Sequence, residues 1–187
     1  MSSNAGKLVT AYVYDPDLQL EVNRQKKNYW YKYIKEINEQ LGLRAKEISS
    51  KSIENKRSLD DIGILFIGDL PLYKITEAIK SNLDEWVKNG GILIGFKTWG
   101  LDNIFGNTND KEIVQLESDF SISGYFSLNP DPLTTGIHSY LHPEQNLIIF
   151  SNIYCIKPDS SREIARLYDT DQKDTGYSAI TGRKYGD

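Results

Sequence analysis

The cysteine and histidines are the first residues to consider for catalysis. Cys155 is the single cysteine of the chain, so it would act as a nucleophile only with a base such as His138 or His142 beside its thiol. Its apolar neighbours favour a small buried side chain, because cysteines in such surroundings are usually inert. A single cysteine also cannot form an internal disulfide. We therefore predict no catalysis by cysteine.

The spacing of His138 and His142 would present two imidazoles to one metal ion if this segment were helical. Gly136 before the pair and Pro143 after it indicate a loop instead. A zinc site needs at least a third ligand, for which Glu144 is the nearest candidate. We interpret both histidines as surface or loop-packing residues and expect no metal site.

Acidic residues near the end of the chain resemble the opening of a calcium loop. Asp169, Asp171 and Asp174 have suitable spacing, but the closing bidentate glutamate of the twelve-residue pattern is missing. A solvated hairpin turn is the better interpretation. We expect three nearby residues to be ordinary charges on a strand surface: Arg162, Glu163 and Arg166.

Two buried strands joined by a helix form the centre of the predicted fold. Residues 62–67 (IGILFI) and 92–96 (ILIGF) are nearly continuous apolar runs, as is typical of strands covered on both faces of a parallel sheet. Between them, apolar residues at helical spacing predict a helix over 72–87 that ends at an Asn-Gly-Gly sequence. This β-α-β crossover is the unit of doubly wound α/β folds.

Other segments extend this pattern on both sides. Before the crossover we predict a strand over 7–14, a helix over 21–41, a strand over 44–49 and a polar connection over 50–61. After it we predict a helical turn over 101–105, a loop over 129–143, and antiparallel or exposed strands over 118–128, 147–153, 164–168 and 178–181. A chain of 187 residues fits one α/β domain, residues 1–187.

Five polar or aromatic residues follow predicted parallel strands. Asp15 and Asp69 each come after a strand, and Lys97, Thr98 and Trp99 come after the next core strand. Ligands of open α/β sheets gather outside the carboxyl ends of the strands. We therefore predict that these five residues line one binding crevice. The alternative is that the aspartates only cap the helices that follow them.

The segment 59–96 resembles the class I glutamine amidotransferase-like superfamily, especially its divergent branches with ThuA-like proteins and the β-galactosidase trimerisation domain. The sequence VKNGG at 87–91, between the two apolar runs, carries the resemblance. Residues 131–137 (DPLTTGI) and 182–186 resemble later segments of the same families. The resemblance implies a flavodoxin-like three-layer sandwich with a mostly parallel central sheet and antiparallel additions in the C-terminal half.

In catalytic members of this superfamily an elbow after the corresponding strand displays a cysteine nucleophile. Here that stretch is GFKTWG at 95–100, without cysteine. A hydroxyl such as that of Thr98 is far less reactive than a thiolate and has no visible base. We therefore expect no glutamine amidotransferase activity, and a non-catalytic module for ligand binding or assembly. The alternative is a hydrolase or transferase with an altered site around Asp69, Lys97, Thr98 and Trp99, for which the divergent relatives imply a carbohydrate substrate.

Composition and charge restrict the partners. A net charge of -4 without long runs of like charge gives little support to a nucleic-acid footprint. The acidic sequence Asp15-Pro16-Asp17 after the first strand would repel phosphate, which argues against a flavin or nucleotide, and we expect no cofactor. The partners that we expect are a small-molecule or carbohydrate ligand, a second copy of the chain, or a neighbouring domain.

The two ends of the sequence support weaker expectations. The N-terminus has neither a signal-peptide core nor a membrane span, so a cytoplasmic location is slightly favoured. Relatives in the superfamily usually follow a glycine such as Gly186 with a further core strand. The resemblance therefore implies that this chain is part of a longer protein.

Overall fold

The computed structural model describes residues 9–27, 29–68, 70–114, 121–138 and 145–186. The chain divides into two compact units, Met1–Ile104 with Tyr185–Asp187, and Phe105–Lys184. The first holds a parallel sheet and the second an antiparallel sheet. This confirms an α/β chain with antiparallel additions in its C-terminal half. That residues 1–187 form a single domain stays a prediction.

The first unit is built on four parallel strands in the order β2-β1-β3-β4. Their bounds are Val9–Val13 (β1), Lys46–Ile48 (β2), Ile62–Ile67 (β3) and Ile92–Gly95 (β4). In β3, Leu65 and Ile67 are fully buried, as the continuous apolar run predicts. The central crossover from β3 to β4 is therefore confirmed. The prediction that the second strand is buried as well was wrong, because β4 lies at the edge of the described parallel sheet and Ile92 is 53% exposed.

The described part of this unit has three helices of nine or more residues: α1 (Pro16–Arg24), α2 (Tyr31–Gln40) and α3 (Glu77–Lys88). Single 3-10 turns occupy Ser50–Glu54, Lys56–Leu59 and Leu72–Lys74. The prediction of a helix starting at residue 72 was therefore wrong. Thr76, in an extended conformation, caps α3 by accepting the backbone N–H of Ile79 at 3.3 Å.

The prediction of one helix over residues 21–41 was also wrong, because the chain turns between α1 and α2. Lys26 adopts the left-handed conformation, with φ 56°, which an α-helix does not continue through. Tyr29, in the connection, bonds through its hydroxyl to the backbone of Asp15. This tertiary bond holds the connection against the end of β1, so local helical periodicity does not determine it.

The Gly-Gly sequence after α3 forms a Schellman cap. Gly90 has φ 99°, and its N–H donates to the carbonyl of Val87 at 3.0 Å, while the N–H of Gly91 donates to the carbonyl of Trp86 at 3.1 Å. These bonds satisfy carbonyls that the helix end would otherwise leave unpaired. A Cβ atom on Gly91 would lie 2.3 Å from the ring of Trp86, so a larger residue would clash with this ring. At position 90 the positive φ favours glycine.

The second unit contains six antiparallel strands in the order β5-β8-β10-β9-β6-β7. Their bounds are Asn107–Ile113 (β5), Gly124–Leu128 (β6), Leu147–Ile149 (β7), Ile153–Pro158 (β8), Arg162–Tyr168 (β9) and Asp174–Gly182 (β10). Two one-turn helices complete the described elements: α4 (Asp102–Phe105), where the sequence passes from the first unit to the second, and α5 (Thr135–His138) in the second unit. Ile153, Cys155 and Leu167 form a buried core cluster.

Two features of this sheet differ from the prediction. Residues 147–153 are not one strand, because β7 ends at Ile149 and β8 begins at Ile153. Strand β5 was not predicted, since its sequence NTNDKEI is polar. Among the described strands it lies at the edge of this sheet and pairs with β8 alone, and an edge position does not require alternating apolar residues.

Two of the charged residues expected on a strand surface, Arg162 and Glu163, form hydrogen bonds with buried residues. Arg162 donates two hydrogen bonds to the carboxylate of Asp131, at 2.6 and 3.2 Å, and the Asp131 side chain is only 6% exposed. Glu163 accepts from the hydroxyl of the fully buried Ser178. The strand position of these charges is confirmed, and Arg162 is exposed. The prediction missed that Arg162 binds the buried Asp131, whose carboxylate also accepts the backbone N–H of Leu133.

Asp131 makes the stability of this unit depend on pH. The hydrogen bonds from Arg162, and then the bond from the Leu133 N–H, lower the pKa of Asp131 below its ordinary value. An aspartate whose pKa is lower in the folded than in the unfolded state stabilises the fold at pH values above its unfolded-state pKa, about 3.9. This stabilisation is lost as the pH falls through the folded-state pKa. Below about pH 4 we expect the melting temperature of Asp131→Asn to fall less with decreasing pH than that of the wild type.

Thermal unfolding followed by circular dichroism at a series of acid pH values tests this expectation. The exposed Asp171 gives a matched control, because Asp171→Asn changes a charge outside the Asp131 loop. Equal acid sensitivity of wild type, Asp131→Asn and Asp171→Asn would contradict the assignment.

Among the described helices, none is long and apolar enough to span a membrane.

Candidate functional site

The carboxyl end of the parallel sheet contains the topological switch point of the first unit. From β1 the chain crosses to β2 on one side, and it then returns to β3 on the other side of β1. Ligands of open α/β sheets bind in the crevice that such a reversal leaves between two strands. Asp15 follows β1 at this point, and Gly68 follows β3.

Asp15 is buried and its carboxylate is shared between two partners. One oxygen accepts the backbone N–H of Ser50 at 2.9 Å, and the other accepts the Ser50 hydroxyl at 2.5 Å. The ammonium of Lys74 lies 3.3 Å from the second oxygen. Hydrogen bonds and a cation together offset the cost of burying this charge. The carboxylate thus joins β1 to the segments that follow β2 and β3.

Asp15 does not act as a side-chain cap for α1, although it occupies the N-cap position. Its main chain is held by Tyr29, whose hydroxyl accepts the Asp15 N–H at 2.8 Å and donates to the Asp15 carbonyl at 3.1 Å. Burial raises the pKa of Tyr29 above its ordinary range.

Tyr31 fills the space beside Gly68 at the switch point. Its side chain is 1% exposed, and its hydroxyl accepts the backbone N–H of Gly68 at 3.2 Å. A Cβ atom on Gly68 would lie 3.3 Å from the Tyr31 ring and 3.1 Å from Ile34, so the packing is close. The rings of Tyr29 and Tyr31 are 5.1 Å apart. Side chains of the protein itself thus occupy the crevice between β1 and β3.

Lys97 lies in a strained turn immediately after β4. Its φ is 49°, a left-handed value that is uncommon for a residue with a Cβ atom. Its ammonium lies 5.6 Å from the centre of the Trp30 ring, within cation–π distance. Thr98 and Trp99 follow in the same segment, and both are half-buried.

The five predicted site residues are only partly located by the structure. Asp69 lies outside the described residues. Strand β3 separates β1 from β4, so the backbones carrying Asp15 and Lys97 leave the sheet about 10 Å apart. Asp15 is instead joined to Ser50 and Lys74, which the sequence analysis did not identify. That all five residues share one crevice stays a prediction.

The roles of Tyr29, Tyr31 and Ser50 at this site could hardly be predicted from the sequence. Twelve tyrosines indicate many half-polar rings at core margins, but composition cannot select Tyr29 and Tyr31. Ser50 lies in a segment that reads as an ordinary polar connection. It becomes a partner of Asp15 only because β1 and β2 pair with Val13 opposite Ile48.

A groove of about 480 Å³ lies elsewhere in the first unit. Residues of α3 and of the segment 100–104 line it, including Glu77, Lys80, Asp84 and Asn103. It carries both acidic and basic side chains.

The other candidate sites of the sequence are placed as follows. Cys155 is fully buried, and burial raises the pKa of its thiol, which agrees with a structural role.

Asp169 closes the turn between β9 and β10 by accepting the backbone N–H groups of Asp171 and Lys173. His138 ends α5, whereas His142 and Glu144 lie outside the described residues. Within the described part of the chain, no group of three or more acidic, histidine or cysteine residues could hold a metal ion.

No protein-family model matches the sequence, and no curated protein matches it. Solved structures of similar fold include a β-galactosidase from Bacillus circulans sp. alkalophilus, with a TM-score of 0.69 and 14% identity over 96% of this chain and 27% of that chain. A GH42 β-galactosidase from G. stearothermophilus has a TM-score of 0.59 and 16% identity over 96% of this chain and 26% of that chain.

A ThuA-like protein from Bacteroides uniformis is similar in fold as well. Its TM-score is 0.57 and its identity 12%, over 98% of this chain and 80% of that chain. The chain spans about a quarter of the length of the two β-galactosidase chains. At these identities the comparisons establish a shared α/β fold with proteins that include β-galactosidases and a ThuA-like protein.

Proposed function

We propose that this chain is a non-catalytic module of the glutamine amidotransferase-like superfamily, with a flavodoxin-like sheet, that acts in ligand binding or assembly. The observation that carries the proposal is the filled switch point between β1 and β3. Tyr31 occupies this crevice, and Asp15 is held by Ser50 and Lys74. An active site at this position would need space for a substrate and an accessible reactive group.

The turn after β4 supports the same proposal. A nucleophile elbow is a sharp, strained turn after a strand that exposes one reactive side chain. Lys97 has the strained backbone of such a turn, with φ 49°, but it carries an ammonium group that lies over Trp30. The single cysteine, Cys155, is buried in the core of the other sheet. An elbow-like turn is thus combined with the loss of the thiol that glutamine hydrolysis needs.

The fold comparisons support a role as one part of an assembly. The chain corresponds to about a quarter of each β-galactosidase chain, so a fold of this kind occurs inside larger carbohydrate-active proteins. We infer that the ligand, where there is one, is a carbohydrate or another small polar molecule. The partner is a neighbouring domain or a second copy of the chain.

Ammonia release from glutamine tests the non-catalytic proposal. We expect the purified chain to release no more ammonia than Lys97→Ala or Thr98→Ala, and no more than buffer, because no activated nucleophile is present at the turn. Glutamine-dependent ammonia release that disappears in Lys97→Ala or Thr98→Ala would refute the proposal.

The second candidate is a hydrolase or transferase with an altered site, acting on a carbohydrate. The strained backbone of Lys97 favours it, since strain of this kind is concentrated at functional sites. Hydrolysis of a nitrophenyl galactoside by the wild type, with loss of at least about tenfold in Lys97→Ala or Thr98→Ala, would establish this candidate. We expect no such hydrolysis.

A further inference from the structure

Positive charge is concentrated in the connection between α1 and α2 and at the start of α2. Residues 24–35 (RQKKNYWYKYIK) contain no acidic residue and five basic ones, which are Arg24, Lys26, Lys27, Lys32 and Lys35. The chain as a whole has a net charge of -4. A surface that carries charge of one sign concentrates ligands of the opposite sign. This segment therefore favours an anionic ligand in a protein that is otherwise acidic.

Three of these cations are exposed and are not neutralised by neighbouring acids. Arg24, Lys26 and Lys27 are exposed, and within the described part of the chain none of them forms an ion pair with a carboxylate. Lys35 differs, because its ammonium lies 2.6 Å from the carboxylate of Glu39. A ligand can thus reach the charges of the connection without displacing a described carboxylate.

Two aromatic rings lie close to these cations. Trp30, immediately before α2, is half-buried, and Tyr33, in its first turn, is 45% exposed. Their ring centres are 5.2 Å apart. Lys27 precedes Trp30 by three residues, so their Cα atoms lie within about 11 Å of each other. The faces of aromatic rings are electron-rich, and they attract the C–H groups on the apolar face of a sugar ring.

Lys97 adds a further cation from the turn after β4. Its ammonium lies 5.6 Å from the centre of the Trp30 ring. Lys26 and Lys97 both have left-handed backbones, with φ of 56° and 49°, and no other non-glycine residue in the described part of the first unit does. Strained conformations of this kind cluster at functional sites. The fold thus brings lysines from two segments to the start of α2, at a cost in backbone energy.

We propose that Lys26, Lys27, Trp30, Tyr33 and Lys97 form a basic-aromatic surface that binds an acidic polysaccharide, whose sugar rings carry carboxylate groups. The sugar rings stack on Trp30 and Tyr33, and the carboxylates pair with the lysines. A neutral sugar would not use the cations, and a small inorganic anion would not use the exposed rings. This inference rests on the proposed role in ligand binding and names the class of ligand.

A single-stranded nucleic acid is the rival ligand. Its bases also stack on aromatic rings, and its phosphates also pair with lysine. The overall charge of the chain disfavours it, because domains that bind nucleic acids are commonly strongly basic, whereas this chain has a pI of about 5.3. The observations therefore favour the polysaccharide.

Isothermal titration calorimetry with a hexamer of galacturonic acid tests the proposal. The matched ligand is the same hexamer with its carboxylates methyl-esterified, which keeps the sugar rings and removes their charges. At low ionic strength we expect the acidic hexamer to bind at least about tenfold more tightly than the ester, and its affinity to fall as salt is added, because salt screens exposed charges.

Variants of the basic-aromatic surface check which residues bind the hexamer. Lys26→Gly combined with Lys27→Ala removes two cations, and glycine suits the left-handed backbone at position 26. We expect this variant and Tyr33→Ala each to weaken binding at least about fivefold. Lys51→Ala combined with Arg57→Ala is the control, because it removes two exposed cations elsewhere in the first unit, and we expect a change of less than about twofold. Circular dichroism establishes that each variant is folded.

Three results would overturn the inference. The first is no binding of the acidic hexamer. The second is equal affinity for the acidic and esterified hexamers, or equal losses in the surface and control variants. The third is tighter binding of a single-stranded oligonucleotide of equal charge, lost in the same variants, which would assign the surface to a nucleic acid. Each result leaves the proposed non-catalytic function intact, because ammonia release tests that function separately.

Discussion

Tyr31→Ala is expected to lower the free energy of unfolding by about 3–5 kcal/mol, the range for removing a large buried aromatic side chain. The Tyr31 side chain is 1% exposed and fills the switch point. Its removal leaves a cavity and also deprives the Gly68 N–H of its acceptor. Both effects act in the same direction, since a buried unpaired donor is costly.

Urea denaturation of the wild type and two variants measures this effect. Tyr33→Ala is a matched control on the same helix, because Tyr33 is 45% exposed, and we expect a much smaller change. Phenol should bind to the cavity of Tyr31→Ala and raise its melting temperature, as small aromatics do in cavities of this kind. Equal effects of the Tyr31 and Tyr33 substitutions, without stabilisation by phenol, would show that the crevice is not filled by Tyr31.

Asp15→Ala is expected to destabilise the chain by about 3–5 kcal/mol, the range for breaking a buried ion pair by removing one partner. The Asp15 side chain is 7% exposed, and that of Lys74 is 23% exposed. The substitution leaves the Lys74 ammonium and the Ser50 hydroxyl and N–H without their acceptor. Asp15→Asn should cost less, because an amide oxygen can still accept one of these bonds.

Asp17→Ala is the control for Asp15→Ala, since Asp17 is exposed in the first turn of α1. Its removal should cost less than about 1 kcal/mol, the size of a favourable helix-dipole interaction. A double-mutant cycle with Ser50→Ala should show coupling between Asp15 and Ser50. Costs of Asp15→Ala and Asp17→Ala that do not differ, with no coupling to Ser50, would contradict the network.

The order of elements in the central crossover could be predicted from sequence because the main local signals agree there. The apolar run of β3, the apolar stripe of α3 and the Gly90-Gly91 cap all indicate the same structure. Such agreement between local preference and global fold makes a segment predictable. The same reasoning explains the confirmed turn at Asp169, where the side chain bonds to nearby backbone groups.

The connection between α1 and α2 could not be predicted, because a tertiary bond determines it. Tyr29 binds the backbone of Asp15, which lies fourteen residues earlier in the chain. Of the apolar residues at helical spacing here, Ile34 is buried, whereas Tyr33, Ile37 and Leu41 are exposed. Periodicity identifies a helix without showing whether another element covers its apolar face.

The sequence predicted where the candidate site residues Asp15 and Lys97 lie along the chain, but not which residues contact Asp15. The sequence placed Asp15 and Lys97 correctly after parallel strands, since strand ends follow from the apolar pattern. The contacts of Asp15 with Ser50 and Lys74 depend on strand register and on a 3-10 turn. Short polar segments carry too little local signal to specify contacts over such sequence distances.

The amide exchange rate of Gly68, measured in the wild type and in Tyr31→Phe, tests most directly whether the switch point is filled. Tyr31→Phe keeps the ring and removes only the oxygen that accepts the Gly68 N–H. We predict slow exchange in the wild type and exchange at least about tenfold faster in the variant, with the Leu65 amide of β3 unchanged. Rapid exchange of Gly68 in the wild type, at the same rate in both proteins, would show that the crevice is open and would contradict a filled, non-catalytic site.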